Sequence, residues 1–242
     1  MKDKQDALLK RTDLPEQSSS SQDIQAFLKA ARSIGAPKTA GENGRLVFAL
    51  DATMSRQPTW DQACHLQAEM FHEAGKVGGL DVQLVYFRGF GECRASKWAR
   101  DATQLASMMG RIHCQGGRTQ IRKVLKHTIA ETRKKKVQAL IYIGDCMEEE
   151  PDLLCDHAGE LGLLGVPTFM FQEGNDPLAE HTFKEVARLT KGVFHRFDRQ
   201  SAERLRQLLG AVAAYSAGGR VALENLSNSG HKGAQLLIGD MR

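Results

Sequence analysis

Apolar positions along this chain fall into two alternating rhythms. Leu46-Val-Phe-Ala-Leu50, Val82-Gln-Leu-Val-Tyr-Phe87, Ala139-Leu-Ile-Tyr-Ile143, Thr168-Phe-Met-Phe171 and Val193-Phe-His-Arg-Phe197 are short, nearly continuous apolar runs. Runs of this kind predict strands buried on both faces. Cys93–Trp98 follows the Phe-Arg-Gly-Phe-Gly turn and reads as a short edge strand. Between the runs lie segments with helical spacing: Trp60–Ala74, Ala102–Ile112 after Asp101 as a cap, Gln120–Lys135, Pro151–Leu164, Ala179–Thr190 closed by Lys191-Gly192, and Ser201–Tyr215 stopped by Gly218-Gly219. Strands alternating with helices imply βαβ units, hence an α/β, Rossmann-like, doubly wound and mostly parallel six-stranded sheet flanked by helices.

The rhythm is absent at both ends. Residues 1–43 read as a flexible polar lead ending in Ser18–Ser21, with one helix over Gln22–Ile34 that carries Ile24, Phe27, Leu28, Ala31 and Ile34 on one face. The α/β domain is expected over residues 44–219. Residues 220–242 form a tail whose pattern does not distinguish a docked segment from a loose one.

Composition changes this picture little. The 242 residues are 41% hydrophobic and 26% charged, ordinary for a globular protein. A net charge of +4 is too mild to demand a nucleic-acid partner. The polar start and strand-length apolar runs predict no secretory leader and no membrane span. Cys64, Cys93, Cys114, Cys146 and Cys155 are odd in number and form no Cys-x-x-Cys pair, which predicts free thiols and a cytoplasmic location.

Chemistry concentrates where strands and a glycine turn end. Asp51-Ala-Thr53-Met-Ser55 follows the first buried run, Thr119 stands in Gly116-Gly-Arg-Thr119 before a helix, and Asp145 follows Ile-Tyr-Ile-Gly. In an open α/β sheet, ligands bind at the carboxyl ends of strands where the strand order reverses. If the strands before Asp51 and Asp145 are neighbours there, two carboxylates and three hydroxyls share one crevice. These are hard oxygen donors, suited to Mg²⁺ or Mn²⁺ rather than zinc or copper.

The set resembles the metal-ion-dependent adhesion site of the von Willebrand factor type A family, in its bacterial intracellular form, and the element order fits over roughly residues 44–217. The resemblance implies that Thr53, Ser55 and Thr119 approach the metal directly and that Asp51 and Asp145 act through water. It further implies a protein-binding module in which the metal bridges to an Asp or Glu of a partner, for example within an AAA-class ATPase assembly. Thr53 stands where the family usually has Ser, and Gly144-Asp145-Cys146 departs from the family's Asp-Gly order.

Other features have plainer readings. The cations from Arg118 to Lys136 could form an RNA-binding face, but as a solvated helix surface they also suit the helix dipole, and no aromatics interleave with them. Glu148-Glu149-Glu150 marks a helix start before Pro151. Cys146 as a catalytic thiol lacks a triad, and His65 with His72 lack a third zinc ligand. A metal-assisted phosphohydrolase is the enzymatic alternative, although no second Asp stands at position 53 and no nucleophile or base is fixed; the expectation is that the protein is not an enzyme.

Overall fold

A computed structural model of the protein describes residues 43–60, 80–197 and 202–241. The expected helix over Gln22–Ile34, most of Trp60–Ala74, and the residues Cys64, His65 and His72 lie outside the described residues.

Among the described residues there are six strands: β1 (Gly44–Asp51), β2 (Leu80–Arg88), β3 (Glu92–Ala95), β4 (Ala139–Gly144), β5 (Thr168–Glu173) and β6 (Phe194–Phe197). Their order in the sheet is β3-β2-β1-β4-β5-β6. All pairings are parallel except β2 with β3, a hairpin that places an antiparallel strand on one edge. The expected mixed α/β sheet is therefore present. The order also makes β1 and β4 neighbours at the point where the chain reverses direction across the sheet, in register Leu50↔Ile143.

Alternation inside each apolar run explains how both faces are covered. Leu46, Phe48 and Leu50 of β1 and Ile141 and Ile143 of β4 enter one core, while Val47, Ala49, Leu140 and Tyr142 enter the other. The second core is closed by helices α2 (Ile121–Lys134), α3 (Pro151–Leu163) and α4 (Pro177–Leu189). The first is closed by α1 (Ala102–Met109), α5 (Ala202–Asn228) and α6 (Lys232–Asp240). The sequence-based helix bounds agree to within a few residues, and Asp101 caps α1 by accepting from the Thr103 amide at 2.7 Å.

The C-terminal region is more ordered than its pattern indicates. Gly218-Gly219 breaks the helix, as the sequence predicts: Gly219 stands at φ 66° and ψ −160°, outside the helical region, and a second helical stretch runs on to Asn228. Leu223, Ala234 and Leu237 of the tail are buried in the first core. Among the described residues, no helix is long and apolar enough to cross a membrane.

A buried ion-pair network anchors the start of β1 to the end of α2. Glu131 accepts from Arg45 at 2.8 Å, from the Trp98 indole at 2.9 Å and from Lys134 at 2.8 Å, and the Arg45 guanidinium lies 3.8 Å over the Trp98 ring. Burial pushes the Glu131 carboxyl up, but its bonds from Lys134, Trp98 and Arg45 outweigh that and hold it at about 2. Removing it leaves Arg45 buried beside an aromatic ring with no counter-charge. Glu131→Ala is expected to destabilise the fold by about 3–5 kcal/mol in urea unfolding at neutral pH. Because the folded-state value is depressed, Glu131's own contribution is full above about 4.5 and fades as pH falls toward 2. The gap between wild type and variant should therefore narrow in acid, and a difference below about 1 kcal/mol at pH 7 would contradict this account.

Candidate cation site at the sheet crest

Parallel pairing makes β1, β2, β4 and β5 end on one side of the molecule, and the loops leaving them build a crest. Asp51, the last residue of β1, has no exposed surface. One of its oxygens, Oδ1, accepts from the Thr53 amide at 2.7 Å; the other, Oδ2, is buried with no hydrogen-bond partner. Thr53 in turn places its hydroxyl 3.0 Å from the Ser55 hydroxyl. The spacing Asp-x-Thr-x-Ser thus directs three side chains to one place. Thr53 is the N-cap residue of the short 3-10 helix Met54–Thr59.

Asp145 leaves the end of β4 beside it. Ligand atoms of Asp51, Asp145 and Cys146 all lie within 4.8 Å of one another. Asp145 Oδ1 is a second buried, unpartnered carboxylate oxygen, and the hydroxyl of fully buried Tyr142 is a third orphaned polar atom. Gly144 makes this arrangement possible, since a Cβ there would stand 2.3 Å from the Tyr142 hydroxyl oxygen. The Gly-Asp order at 144–145 therefore has a local steric reason.

Electrostatics follow from this crowding. Burial raises the Asp51 carboxyl to about 6; the Thr53 bonds and the Arg56 charge oppose the rise, and Asp145 adds to it. The Cys146 thiol is pushed up to about 12, chiefly by burial and then by Asp145 and Asp51. Tyr142 is also held well above its ordinary value by burial and by the same carboxylates. Arg56, itself buried, pairs with Glu173 at the end of β5 at 3.2 Å and tethers the Asp51 loop across the crest.

Thr119 is tied to the loop that follows Asp145. It is buried, but its hydroxyl donates to Glu148 Oε2 at 3.0 Å and accepts from the Glu148 amide at 3.1 Å. Its own amide donates to the same carboxylate at 2.8 Å. Glu149 accepts from the amides of Ile121 and Arg122, at 2.5 and 3.1 Å. Glu148 and Glu149 therefore satisfy the amino-terminal amides of α2 and the turn before it, rather than marking only the start of α3 as the sequence suggested; Glu150 is the N-cap residue of α3 without a side-chain cap. The site-forming roles of Glu148 and Cys146 are not visible in the Asp-x-Thr-x-Ser spacing. Their positions directly after Asp145 were the available signal.

The crest is braced. The Gln115 amide donates to Ala52 and the Arg118 amide to Gly89. A Cβ on Gly117 would meet the Gly89 carbonyl oxygen at 2.0 Å, so this turn requires glycine. The basic run beside it is largely engaged within the fold. Lys123 bonds Gly91 and Gln120, Arg133 bonds Glu160, Lys134 bonds Glu131, and Lys136 bonds the Leu164 and Gly165 carbonyls. This favours the structural reading of the cations over an RNA-binding one.

The donor set fits a divalent cation on its own chemistry: two orphaned carboxylate oxygens with two adjacent hydroxyls in a half-dry crest. Asp51, Thr53, Ser55 and Asp145 are brought together, and Thr119 is bonded to Glu148, three residues after Asp145.

No protein-family model matches the chain, and no curated protein matches it. Solved structures do. The SpRpn10 VWA domain superposes with a TM-score of 0.57 at 11% identity, covering 68% of this chain and 94% of that one. The vWF domain of the type V pili tip protein Mfa5 from Porphyromonas gingivalis gives 0.59 at 10% identity, covering 80% and 98%. A von Willebrand factor type A protein from Catenulispora acidiphila gives 0.58 at 16% identity, but this chain spans only 43% of its length. The chain thus shares the α/β fold of von Willebrand factor A domains.

The buried Asp51 charge yields a test that needs no ligand. Moving a carboxyl from 3.8 to about 6 sets its charged form against folding by roughly 3 kcal/mol. Because the folded-state value is raised, this penalty is absent below 3.8, grows as pH rises, and is complete above about 6. In EDTA at pH 7.5, Asp51→Asn, which keeps an acceptor for the Thr53 amide, is expected to raise stability by about 1–3 kcal/mol, with the gain vanishing toward pH 4. Urea unfolding checks this; an Asn variant less stable than wild type at pH 7.5 would refute it.

Proposed function

We propose that the chain is a protein-interaction module rather than an enzyme, and that its crest takes Mg²⁺ or Mn²⁺ at Asp51, Thr53, Ser55 and Asp145, with Thr119 at the margin. The observation that carries this is a pair of carboxylates, Asp51 and Asp145, that each hold one orphaned buried oxygen and bring ligand atoms within 4.8 Å of each other. Two unpaired like charges at low dielectric are unfavourable unless a cation joins them. The cation supplies positive charge balanced by two carboxylates, with neutral hydroxyls completing the set. Such a centre retains affinity for a further anionic oxygen, which fits an Asp or Glu presented by a partner protein.

The surroundings favour binding over catalysis. The Cys146 thiol, held near 12, stays protonated and is a poor nucleophile. The crest also exposes apolar side chains from each loop that leaves it: Met54 after β1, Phe90 after β2, Leu153 in the first turn of α3 and Leu178 in the first turn of α4. Phe90 is 84% exposed and Met54 53%. Apolar groups around a charged centre suit a protein surface with one acidic contact in an apolar setting.

Calorimetric titration tests the cation first. Mg²⁺ and Mn²⁺ are expected to bind wild type and, at a concentration 100-fold above Kd, to stabilise it by about 2.7 kcal/mol. Asp51→Ala should abolish both effects while remaining folded. Absence of heat and of stabilisation in wild type would overturn the cation. If a partner's capture is indifferent to EDTA and to Asp51→Ala, the carboxylate bridge is wrong even where the cation binds.

A further inference from the structure

The ligand atoms that converge at the crest are not all oxygen. Cys146 offers a sulfur within 4.8 Å of both the Asp51 and the Asp145 ligand atoms, and its Sγ lies 4.0 Å from the Ser55 hydroxyl. Compared with an all-oxygen set, this crest has one thiol added. A thiol beside an acidic pair is common without an ion. Here, however, Asp51 is fully buried, and its Oδ2 is unpartnered within the same cluster.

We propose that the crest also accepts a borderline-soft divalent cation of the Zn²⁺ class, with the Cys146 thiolate as a ligand beside Asp51 and Asp145. This inference rests on the cation-site reading above and concerns which ion the site selects. Hard Mg²⁺ has little affinity for sulfur, whereas thiolate strongly favours Zn²⁺ and its analogues. Ligand atoms around a tetrahedral Zn²⁺ at ordinary bond lengths lie about 3.3–3.6 Å apart, so the present cluster closes with side-chain shifts of about an ångström. Asp145 and Cys146 both lie beyond the end of β4. In the step, the Sγ–H bond breaks, its proton leaves to solvent, and an Sγ–metal bond forms with no change of oxidation state.

The charge balance has a functional consequence. With Mg²⁺, two carboxylates and a neutral thiol give a centre of zero net charge and open coordination. With a thiolate ligand, three anions surround the dication and the centre carries a net charge of −1. The first form attracts a partner's carboxylate and the second repels it, so the identity of the ion would set whether the crest captures its partner.

Cobalt(II) reports sulfur ligation directly. The full chain, reduced with a phosphine, is titrated with Co²⁺ and followed by absorption. Wild type should show a near-ultraviolet thiolate-to-cobalt charge-transfer band that Zn²⁺ bleaches. Cys146→Ser and Cys146→Ala should lose that band, and their Zn²⁺ affinity should fall by about tenfold or more while Mg²⁺ affinity changes less than about twofold. Co²⁺ binding without the band, or a band that survives both substitutions, overturns the inference and leaves the oxygen-site reading standing. Failure of wild type to bind Co²⁺, Zn²⁺ and Mg²⁺ alike overturns both.

Discussion

Two carboxylates placed at neighbouring strand ends, in a crest too dry to screen them, form the constraint to which the surrounding structure responds. Parallel pairing of β1 with β4 in the register Leu50↔Ile143 delivers Asp51 and Asp145 to the same edge. At an effective dielectric near 20, unit charges 4 Å apart repel by about 4 kcal/mol. The neighbouring groups reduce that repulsion without cancelling it. Thr53 donates its amide to Asp51, Arg56 brings a buried positive charge, and Asp51 moves toward its neutral form. The orphaned oxygens are what these measures leave over.

The same constraint accounts for the loop that follows Asp145. Glu148 and Glu149 would deepen the negative field if they faced the crest. Instead they turn toward the free amides ahead of and within the first turn of α2, where the helix dipole favours negative charge. That one choice has two results. It fastens the β4 loop to the Thr119 turn, and it engages the Thr119 hydroxyl. Gln120 continues the fastening by donating to the Arg88, Gly89 and Glu92 carbonyls at 3.1–3.3 Å, so the hairpin that displays Phe90 is tied to the same turn. The apolar rim and the charged centre are parts of one braced surface.

The sheet was legible in the sequence because burial on both faces writes itself as unbroken apolar runs, and each of these five runs became a strand. The neighbourhood of β1 and β4 was conditional, since local pattern carries no strand order. Asp51, Thr53 and Ser55 were legible because their spacing is local. The engagement of Thr119 by Glu148 was not: it joins residues 29 apart and depends on where two loops meet. The tail was opaque for another reason. Its helices bury short stripes that include Leu223, Ala234 and Leu237, although the stop at Gly218-Gly219 was legible and Gly219 does break the helix there. Cys146 looked incidental because a thiol's role depends on what lies within bonding reach, which spacing does not give.

Thr119 and Cys146 are best weighed as competitors for the last position at the centre. The Thr119 hydroxyl donates to the Glu148 carboxylate and accepts from the Glu148 amide, which leaves one oxygen lone pair uncommitted. A cation can therefore meet Thr119 without breaking either bond. Cys146 must instead lose a proton: burial and then Asp145 and Asp51 push its thiol up to about 12, and a Ser55 hydroxyl lies 4.0 Å away. A soft cation displaces that proton and a hard one does not. The thiol proton thus separates the two classes of ion: a hard cation meets only oxygens at the crest, whereas a soft one exchanges the Cys146 proton for a metal bond.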